Sequence, residues 1–504
     1  MRLARAGGAL AAISWAVVAV AAMAAPGAES TLAPADLPPA DLPGRWQTFA
    51  NADDVTALAA TGGVVWAGSR AGGLVRWPAD GGDPVQYLAP QDPLGGNTIH
   101  DLAVDGQGRL WIATSGGLSV LEDGATADRD DDTWRTYTVA STFGGLPSDD
   151  VRAVAVDGDT IWVGAAQEWD PSAGWVGGGL GHLDTRGTPG TEDDIWAPVA
   201  TFEGTGQSAP NGSVALGLVS DNISAIAVAP GGGVWIATGP HWRLEQPANP
   251  EKAAEWHPVH GGLSHLDPAG TFDTADDAWR PYSCEDPIQD SAGRPLIACH
   301  MADLAMDPQG RMWSAAGGLG VVAFPGDRGQ LTPGVVYRFQ GGGGLDAGFV
   351  AAVAAPRDGN AMWLATRSDG VLAVDPGPSL GDDRDDVWRG FGPDQGLAGV
   401  RAQALTVGEG VVWVGLGPEK GTGQGLARID LGAGRVTGHL VTAGHGAPPS
   451  NFVTALAFGA PGTRWAGHVF VGTGSRAQRT FGAGLADLDT AATPRRGDDV
   501  WTNY

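Results

Sequence analysis

From Trp46 onward, short apolar runs recur in a fixed order: an apolar run, a Gly- or Asp-containing turn, a second apolar run carrying tryptophan, then a small residue opening a third. The second runs read Val-Val-Trp66, Arg-Leu-Trp111, Thr-Ile-Trp162, Gly-Val-Trp235, Arg-Met-Trp313, Ala-Met-Trp363, Val-Val-Trp413 and, with phenylalanine, His-Val-Phe470. The third runs begin at Leu74, Leu118, Leu180, Leu263, Leu319, Val371, Leu426 and Leu485. A fourth run separates repeats, commonly as Asp-Asp-x-Trp: Trp134, Trp196, Trp279, Trp388 and Trp501 each follow an Asp pair. Four short strands repeated at a spacing of roughly 45 to 80 residues make units that cannot bury their own faces and must stack on neighbours. The pattern therefore predicts an all-β fold, a single β-propeller of about eight four-stranded blades. Each first run, as in Val151-Arg-Ala-Val-Ala-Val156, is nearly all small and apolar, which suits an innermost strand covered on both faces by adjacent blades. The repeated tryptophans then pack between blades. Trp46–Phe49 and Trp501–Tyr504 both read as outermost strands, one more than eight blades need. Seven blades plus a partial unit is the alternative.

Composition agrees with many short strands: 81 glycines and 35 prolines punctuate a chain that is 43% hydrophobic, enough for a large core. The net charge of −27 makes nucleic acid and anionic membrane surfaces poor partners. Residues 1–24 read as a secretory signal, with Arg2 and Arg5 at the charged start, an apolar stretch from Ala9 to Ala21 and a small-x-small cleavage site at Ala22-Met23-Ala24. A retained membrane anchor is the alternative. A Pro-rich linker, 25–44, precedes the propeller, 45–504, and no later segment is apolar enough to span a bilayer. An extracytoplasmic protein, periplasmic or secreted and monomeric, is expected. Cys284 and Cys299 are the two cysteines. In an exported chain a disulfide between them is expected, contributing roughly 3 kcal/mol by loop closure; two unpaired thiols are the alternative.

Several stretches carry a more specific signature. Gly145-Leu-Pro-Ser-Asp-Asp-Val151 leads to Ile161-Trp-Val-Gly164; Asn97-Thr-Ile99 leads through Asp105-Gly-Gln-Gly-Arg-Leu-Trp-Ile-Ala-Thr114 to Gly116-Gly-Leu118; Ser220-Asp-Asn-Ile223 leads to Val234-Trp-Ile-Ala-Thr238; Pro449-Ser-Asn-Phe-Val453 opens the last unit. These units resemble the two-component-regulator propeller repeat over nearly all of the chain after Trp46. The resemblance implies an extracytoplasmic ligand-sensing propeller of the kind found ahead of a membrane helix and a histidine kinase. Here no such helix or kinase follows the last strand, which fits a free-standing binding or scaffold protein better than direct signalling.

Candidate chemistry gathers on one face. Loops between blades and loops joining second to third strands emerge together around the channel mouth. Those of the third and fourth units are enlarged, spanning Ala165–Gly178 and Gly239–Gly261, and hold Trp169, Trp175, His241, Trp242, Arg243, Trp256, His257 and His260; the last two units add Lys420, Arg476, Arg479 and Phe481. Aromatics with a few basic groups stack on sugar rings or anchor a protein partner, so a small molecule, a glycan or a protein is the expected ligand. Rim packing is the competing role. The innermost strands carry alanine at one position (Ala57, Ala153, Ala225, Ala352, Ala455) but Asp101 and Asp303 in the second and fifth units. Two acids near the axis, with His100, Arg152, His300 and Arg401 in the same strands, are candidates for acid–base work or cation holding; a solvated channel lining is the simpler reading. On the opposite face, acidic turns such as Asp128–Asp132, Glu192–Asp194, Asp273–Asp277 and Asp382–Asp386 could attract calcium, although they lack the twelve-residue loop and Asp at turns also caps backbone. No other cofactor is indicated, and no phosphate loop, nucleophile elbow or His-Glu-x-x-His occurs. A non-catalytic binding propeller is expected, with an extracellular polysaccharide lyase or glycoside hydrolase acting on the channel face as the alternative.

Overall fold

The computed structural model describes residues 54–503 apart from 62, 79–83, 125–127, 189, 198, 203–216, 230–231, 246–254, 273, 275, 284–287, 290–294, 297–300, 317–319, 325–334, 338–348, 357–358, 379–383, 409, 418–423, 441–450, 460–465, 474–484 and 491–499. Eight four-stranded antiparallel sheets follow one another along the chain, each ordered from an innermost to an outermost strand in sequence order. The innermost strands are Val55–Thr61, Ile99–Val104, Val151–Asp157, Asn222–Val228, Met301–Met306, Val350–Ala354, Ala402–Gly408 and Val453–Phe458. Each touches the next around the ring, and the last touches the first. The eight-blade expectation therefore holds. Val500–Asn503 supplies the fourth strand of blade 8, so that blade is completed by the C-terminal segment, while Trp46–Phe49 lies outside the described residues.

The repeat motif is a set of junction parts. In seven blades the central residue of the second strand is a buried tryptophan, and in the eighth it is Phe470. Glycine or alanine two residues later is set by the neighbouring blade: a Cβ on Gly68 would stand 2.4 Å from Ile99, and one on Gly164 would stand 2.3 Å from Ile223. In blades 2 and 5, Asp105 and Asp307 accept the indole N–H of Trp111 and Trp313 (2.9 Å each) and the Nε–H of Arg109 and Arg311. The same carboxylates accept two backbone N–H groups of their own turns. Asp-x-x-Gly-x-Leu-Trp is thus a turn that also holds the indole.

The Asp-Asp-x-Trp segments latch outer strands together. Asp132 accepts the Tyr87 hydroxyl at 2.7 Å, while the Trp134 ring lies 5.3 Å from the Tyr87 ring. Asp194 and Trp196 repeat both contacts on Tyr137. Burial raises the pKa of both tyrosines and of both aspartates. These acids are engaged by the neighbouring blade, and among the described residues no group of three or more His, Cys, Asp or Glu is placed to hold a metal ion.

Closure between blades 8 and 1 uses the same parts as the junction between blades 1 and 2. Thr454 Oγ1 donates to the Val55 carbonyl (2.8 Å) as Thr56 Oγ1 donates to that of Ile99 (2.6 Å). Phe470, Leu485, Val55, Val65 and Ala67 form one buried cluster across the closure. No helix among the described residues is long and apolar enough to cross a membrane.

Candidate functional site

The enlarged connections of units 3 and 4 are not irregular loops. Each folds into a two-stranded β-hairpin inserted between the second and third strands of its blade: Glu168–Asp170 with Gly174–Val176, and His241–Glu245 with Glu255–Val259. A third hairpin, Ile288–Gln289 with Pro295–Leu296, follows blade 4. Connections of these two kinds leave a propeller on one face, so all three stand around the same mouth. Cys284 and Cys299 flank the third hairpin and lie outside the described residues. The sequence signal for the first hairpin is the turn Asp170-Pro-Ser-Ala-Gly174 set between Trp169 and Trp175. Asp170 Oδ1 accepts the Ser172 and Ala173 N–H groups to form the turn, and Gly174 supplies φ of +87°.

The two Trp-bearing hairpins are locked side by side. The Gln167 side-chain amide makes a matched pair of hydrogen bonds with the Trp242 backbone, donating to its carbonyl (3.1 Å) and accepting its N–H (2.8 Å). Asn222 bridges below, accepting from Gln167 N and donating to the Pro240 carbonyl. On this frame four indoles meet. Trp175 stacks on Trp242 with ring centroids 6.2 Å apart and planes 10° apart, and Trp169 meets Trp175 (5.7 Å) and Trp256 (6.4 Å) edge-on. Trp256 fits over Gly174 so closely that a Cβ there would lie 2.2 Å from its Cζ2.

The rings hold one another and still face outward. Trp169 is 56% exposed, Trp242 38% and Leu244 47%. With Val176, these four are half of the eight large apolar side chains left exposed among the described residues. Arg243 alternates with Trp242 along its strand and lies over the Phe202 ring at 5.9 Å. His241 is turned inward: it is buried, its Nδ1 lies 2.9 Å from Ser220 Oγ, and desolvation, reinforced by the nearby Arg243 charge, lowers its pKa to about 4. It braces the hairpin root as a neutral ring. His257 stands opposite Arg243 in the hairpin register.

Asp101, Asp303 and Arg152 are not part of this platform. Asp101 Oδ2 accepts the Val154 N–H of the next blade (3.1 Å) and Oδ1 accepts that of Leu102; Asp303 does the same with Val353 (3.0 Å) and Leu304. Each keeps some exposure to the channel, but protein encloses the carboxyl. The desolvation raises both pKa values to about 6, against the backbone hydrogen bonds that favour the charged form, and the Asp101 charge adds to the rise at Asp303. These acids are therefore clips between blades 2 and 3 and between blades 5 and 6. Arg152 contacts Asp150, which also lies 3.2 Å from His100 Nε2. That cluster sits at the mouth beside Glu168, whose pKa is raised by burial and by Asp150 and Asp149. His300, Lys420, Arg476, Arg479 and Phe481 lie outside the described residues.

A second concavity went unremarked in the sequence. It occupies the channel mouth, is lined from blades 1, 4, 5, 6, 7 and 8, has a volume of about 490 Å³, and includes Arg70, Arg367 and Arg401 in its wall. Its sequence signal is a basic residue directly after the second strand, as in Trp66-Ala-Gly-Ser-Arg70 and Trp363-Leu-Ala-Thr-Arg367.

Residues 93–116 match the family model of the two component regulator propeller. No curated protein matches the chain. Among solved structures, the Dos1 propeller is 11% identical, with 84% of this chain and 90% of that one covered, at a TM-score of 0.48. The computationally designed Ika8 protein is 13% identical over 84% of this chain and 94% of that one, TM-score 0.46. The extracellular domain of BT4673, a protein assigned to a hybrid two component system in B. thetaiotaomicron, is 15% identical over 90% of this chain and 61% of that one, TM-score 0.33. The chain thus spans about three fifths of that domain's length. This protein is an eight-bladed β-propeller in which residues 93–116 match the two component regulator propeller model.

Proposed function

We propose that this protein is an extracytoplasmic recognition propeller that binds its ligand on the paired Trp hairpins of blades 3 and 4 without catalysing a reaction on it. The observation that carries the reading is a four-indole platform, exposed yet preorganised by the Gln167–Trp242 amide pair. Rigid aromatic faces bind at little entropic cost, and exposed apolar groups concentrated on two neighbouring insertions mark a surface used for contact. The flat rings suit the apolar face of a carbohydrate ring. Export rests on the residue 1–24 pattern in the sequence. The Asp101 and Asp303 carboxyls already accept two backbone N–H groups each, which favours binding over acid–base turnover at the channel.

The test is a glycan array and a panel of chromogenic glycosides probed with the wild-type protein and the Trp175→Ala/Trp242→Ala double variant. Expected is array binding that falls at least tenfold in the variant, with a nearly unchanged melting temperature and no turnover. Binding that survives both changes, or a variant that melts early, would make the indoles rim packing. Glycoside turnover abolished by Asp101→Asn would sink the non-catalytic reading.

A further inference from the structure

Given the platform reading, on which this rests, we propose that the ligand is an extended, uncharged polysaccharide chain, and that Phe143, on the connection from blade 2 to blade 3, stacks on a sugar of that chain beyond those held by the indoles. Phe143 is 98% exposed. Of the eight large apolar side chains left exposed among the described residues, six lie on three successive segments of the mouth face: Val139 and Phe143 on this connection, Trp169 and Val176 on the blade 3 hairpin, Trp242 and Leu244 on the blade 4 hairpin. Scattered apolar side chains need no explanation, but a run of them along one rim marks a contact surface.

The exposure of Phe143 is built into its backbone. Thr142 N–H returns to the Thr138 carbonyl and Gly144 N–H to the Val139 carbonyl (3.0 Å each), closing a tight turn. Thr142 Oγ1 accepts the Leu146 N–H at 2.9 Å, and Leu146 and Ser148 are buried, so the turn stands on a fixed base. Phe143 holds its left-handed position, with φ of +53°, where a helix-like turn usually ends on glycine. A bulky residue is disfavoured there, yet the ring it carries is left in solvent. Strain held in place by surrounding hydrogen bonds clusters at functional positions, and a side chain fixed in advance loses little freedom on binding.

The turn lies beside the platform. Asp149 Oδ1 accepts the Val139 N–H at 2.8 Å, and a Cβ on Gly177, at the root of the blade 3 hairpin, would stand 3.1 Å from both the Pro147 carbonyl oxygen and Ser148 Cβ. Strand alternation turns Trp169 and Trp175 toward the blade 4 hairpin and Glu168 the other way. There burial, with the charges of Asp150 and Asp149, raises the Glu168 pKa. Carboxylates thus lie between the Phe143 turn and the indoles. They accept hydroxyl protons, which a sugar chain offers along its length. In a molecule of net charge −27 they also repel uronates and sulfated chains. Stacking faces at two places with acceptors between them match a neutral polymer spanning several sugars better than a mono- or disaccharide.

Cellobiose and cellohexaose, laminaribiose and laminarihexaose, and hexagalacturonate are the probes, titrated calorimetrically into the full chain. In at least one glucan series the hexaose should bind at least tenfold more tightly than the biose, and hexagalacturonate at least tenfold more weakly than that hexaose. Phe143→Gly keeps the left-handed backbone and removes the ring. Its hexaose affinity should fall at least fivefold and its biose affinity should hold, with a melting temperature equal to or above that of wild type; Phe143→Tyr should bind the hexaose as wild type does. Equal affinity for hexaose and biose, or full hexaose binding by Phe143→Gly, would overturn the proposal, and loss of both sugars in Trp175→Ala/Trp242→Ala would then leave the platform standing. Tighter binding of hexagalacturonate would overturn the uncharged class. No binding in either glucan series would remove the platform reading and this one together.

Discussion

At the scale of single residues, the two axial carboxyls illustrate how a propeller uses a charge it has largely desolvated. Asp101 and Asp303 stand where most blades carry alanine, and each ties the next blade's innermost strand through one backbone N–H. Their pKa values, raised to about 6, exceed the ordinary carboxylate value of 3.8. The folded protein therefore binds protons that the unfolded chain has released, and the resulting stability is fully present below pH 3.8 and lost as pH rises through about 6. Relative to an Asp101→Asn/Asp303→Asn variant, the wild type should gain on the order of 2–3 kcal/mol per site as pH falls from 7 to 4. Urea denaturation of both proteins at several pH values measures this; a difference that stays flat with pH would show that the carboxyls are solvated after all. Asp105 makes a contrasting case, because its carboxylate is buried against Arg109 and the Trp111 indole. Asp105→Ala leaves that guanidinium without its ion-pair partner and should cost about 3–5 kcal/mol, read as a lowered denaturation midpoint.

At the scale of elements, strand order and blade number were legible because the repeat is local: each Trp, each Gly-Leu and each Asp-Asp-x-Trp sits at a fixed offset within its own unit. The hairpins were less legible. Ala165–Gly178 and Gly239–Gly261 stand out in the sequence as long and tryptophan-rich, but their strands are too short for period-2 alternation to show, and the partner of each indole lies partly in the other insertion. Nothing local pairs Gln167 with Trp242, 75 residues away. The Arg70–Arg367–Arg401 mouth was missed for the same reason, since its members come from three blades. His241 is read differently at the two levels: its residue type suggests a ligand contact, and its place at the hairpin root buries it. Gln167→Ala tests the frame without touching an indole. It removes two hydrogen bonds that hold the hairpins in register, about 1 kcal/mol each. Tryptophan emission should shift to the red as the rings loosen, and glycan affinity should fall about fivefold or more with the global melting temperature held. An unchanged spectrum would mean that ring packing alone sets the platform.

At the scale of the whole molecule, the ring has one junction unlike the others in connectivity though not in chemistry. Seven junctions join blades consecutive in the chain; blades 8 and 1 meet only by contact, through the cluster around Val55 and Phe470 and the Thr454–Val55 hydrogen bond. Blade 8 takes all four strands from the C-terminal part of the chain and blade 1 takes its four from Val55 to Tyr87. No strand exchanged between them appears among the described residues. Opening a covalently linked junction leaves the two blades tethered at high effective concentration, whereas opening this one frees two sheet faces to solvent. Local opening should therefore begin here. In native-state hydrogen exchange, amides of Val55–Thr61 and Val453–Phe458 should exchange through an opening of lower free energy than those of Val151–Asp157 or Ala402–Gly408. Gly472→Val sharpens the comparison, because a Cβ at Gly472 already meets Val55 Cγ1 at 2.7 Å. It should cost about 1–3 kcal/mol and accelerate exchange in blades 1 and 8 together. Gly164→Val, at the linked junction with Ile223, should cost a similar amount globally and leave those two strands no more open than the rest. Uniform protection around the ring in all three proteins would show that closure is as strong as the linked junctions and that the propeller unfolds as one unit.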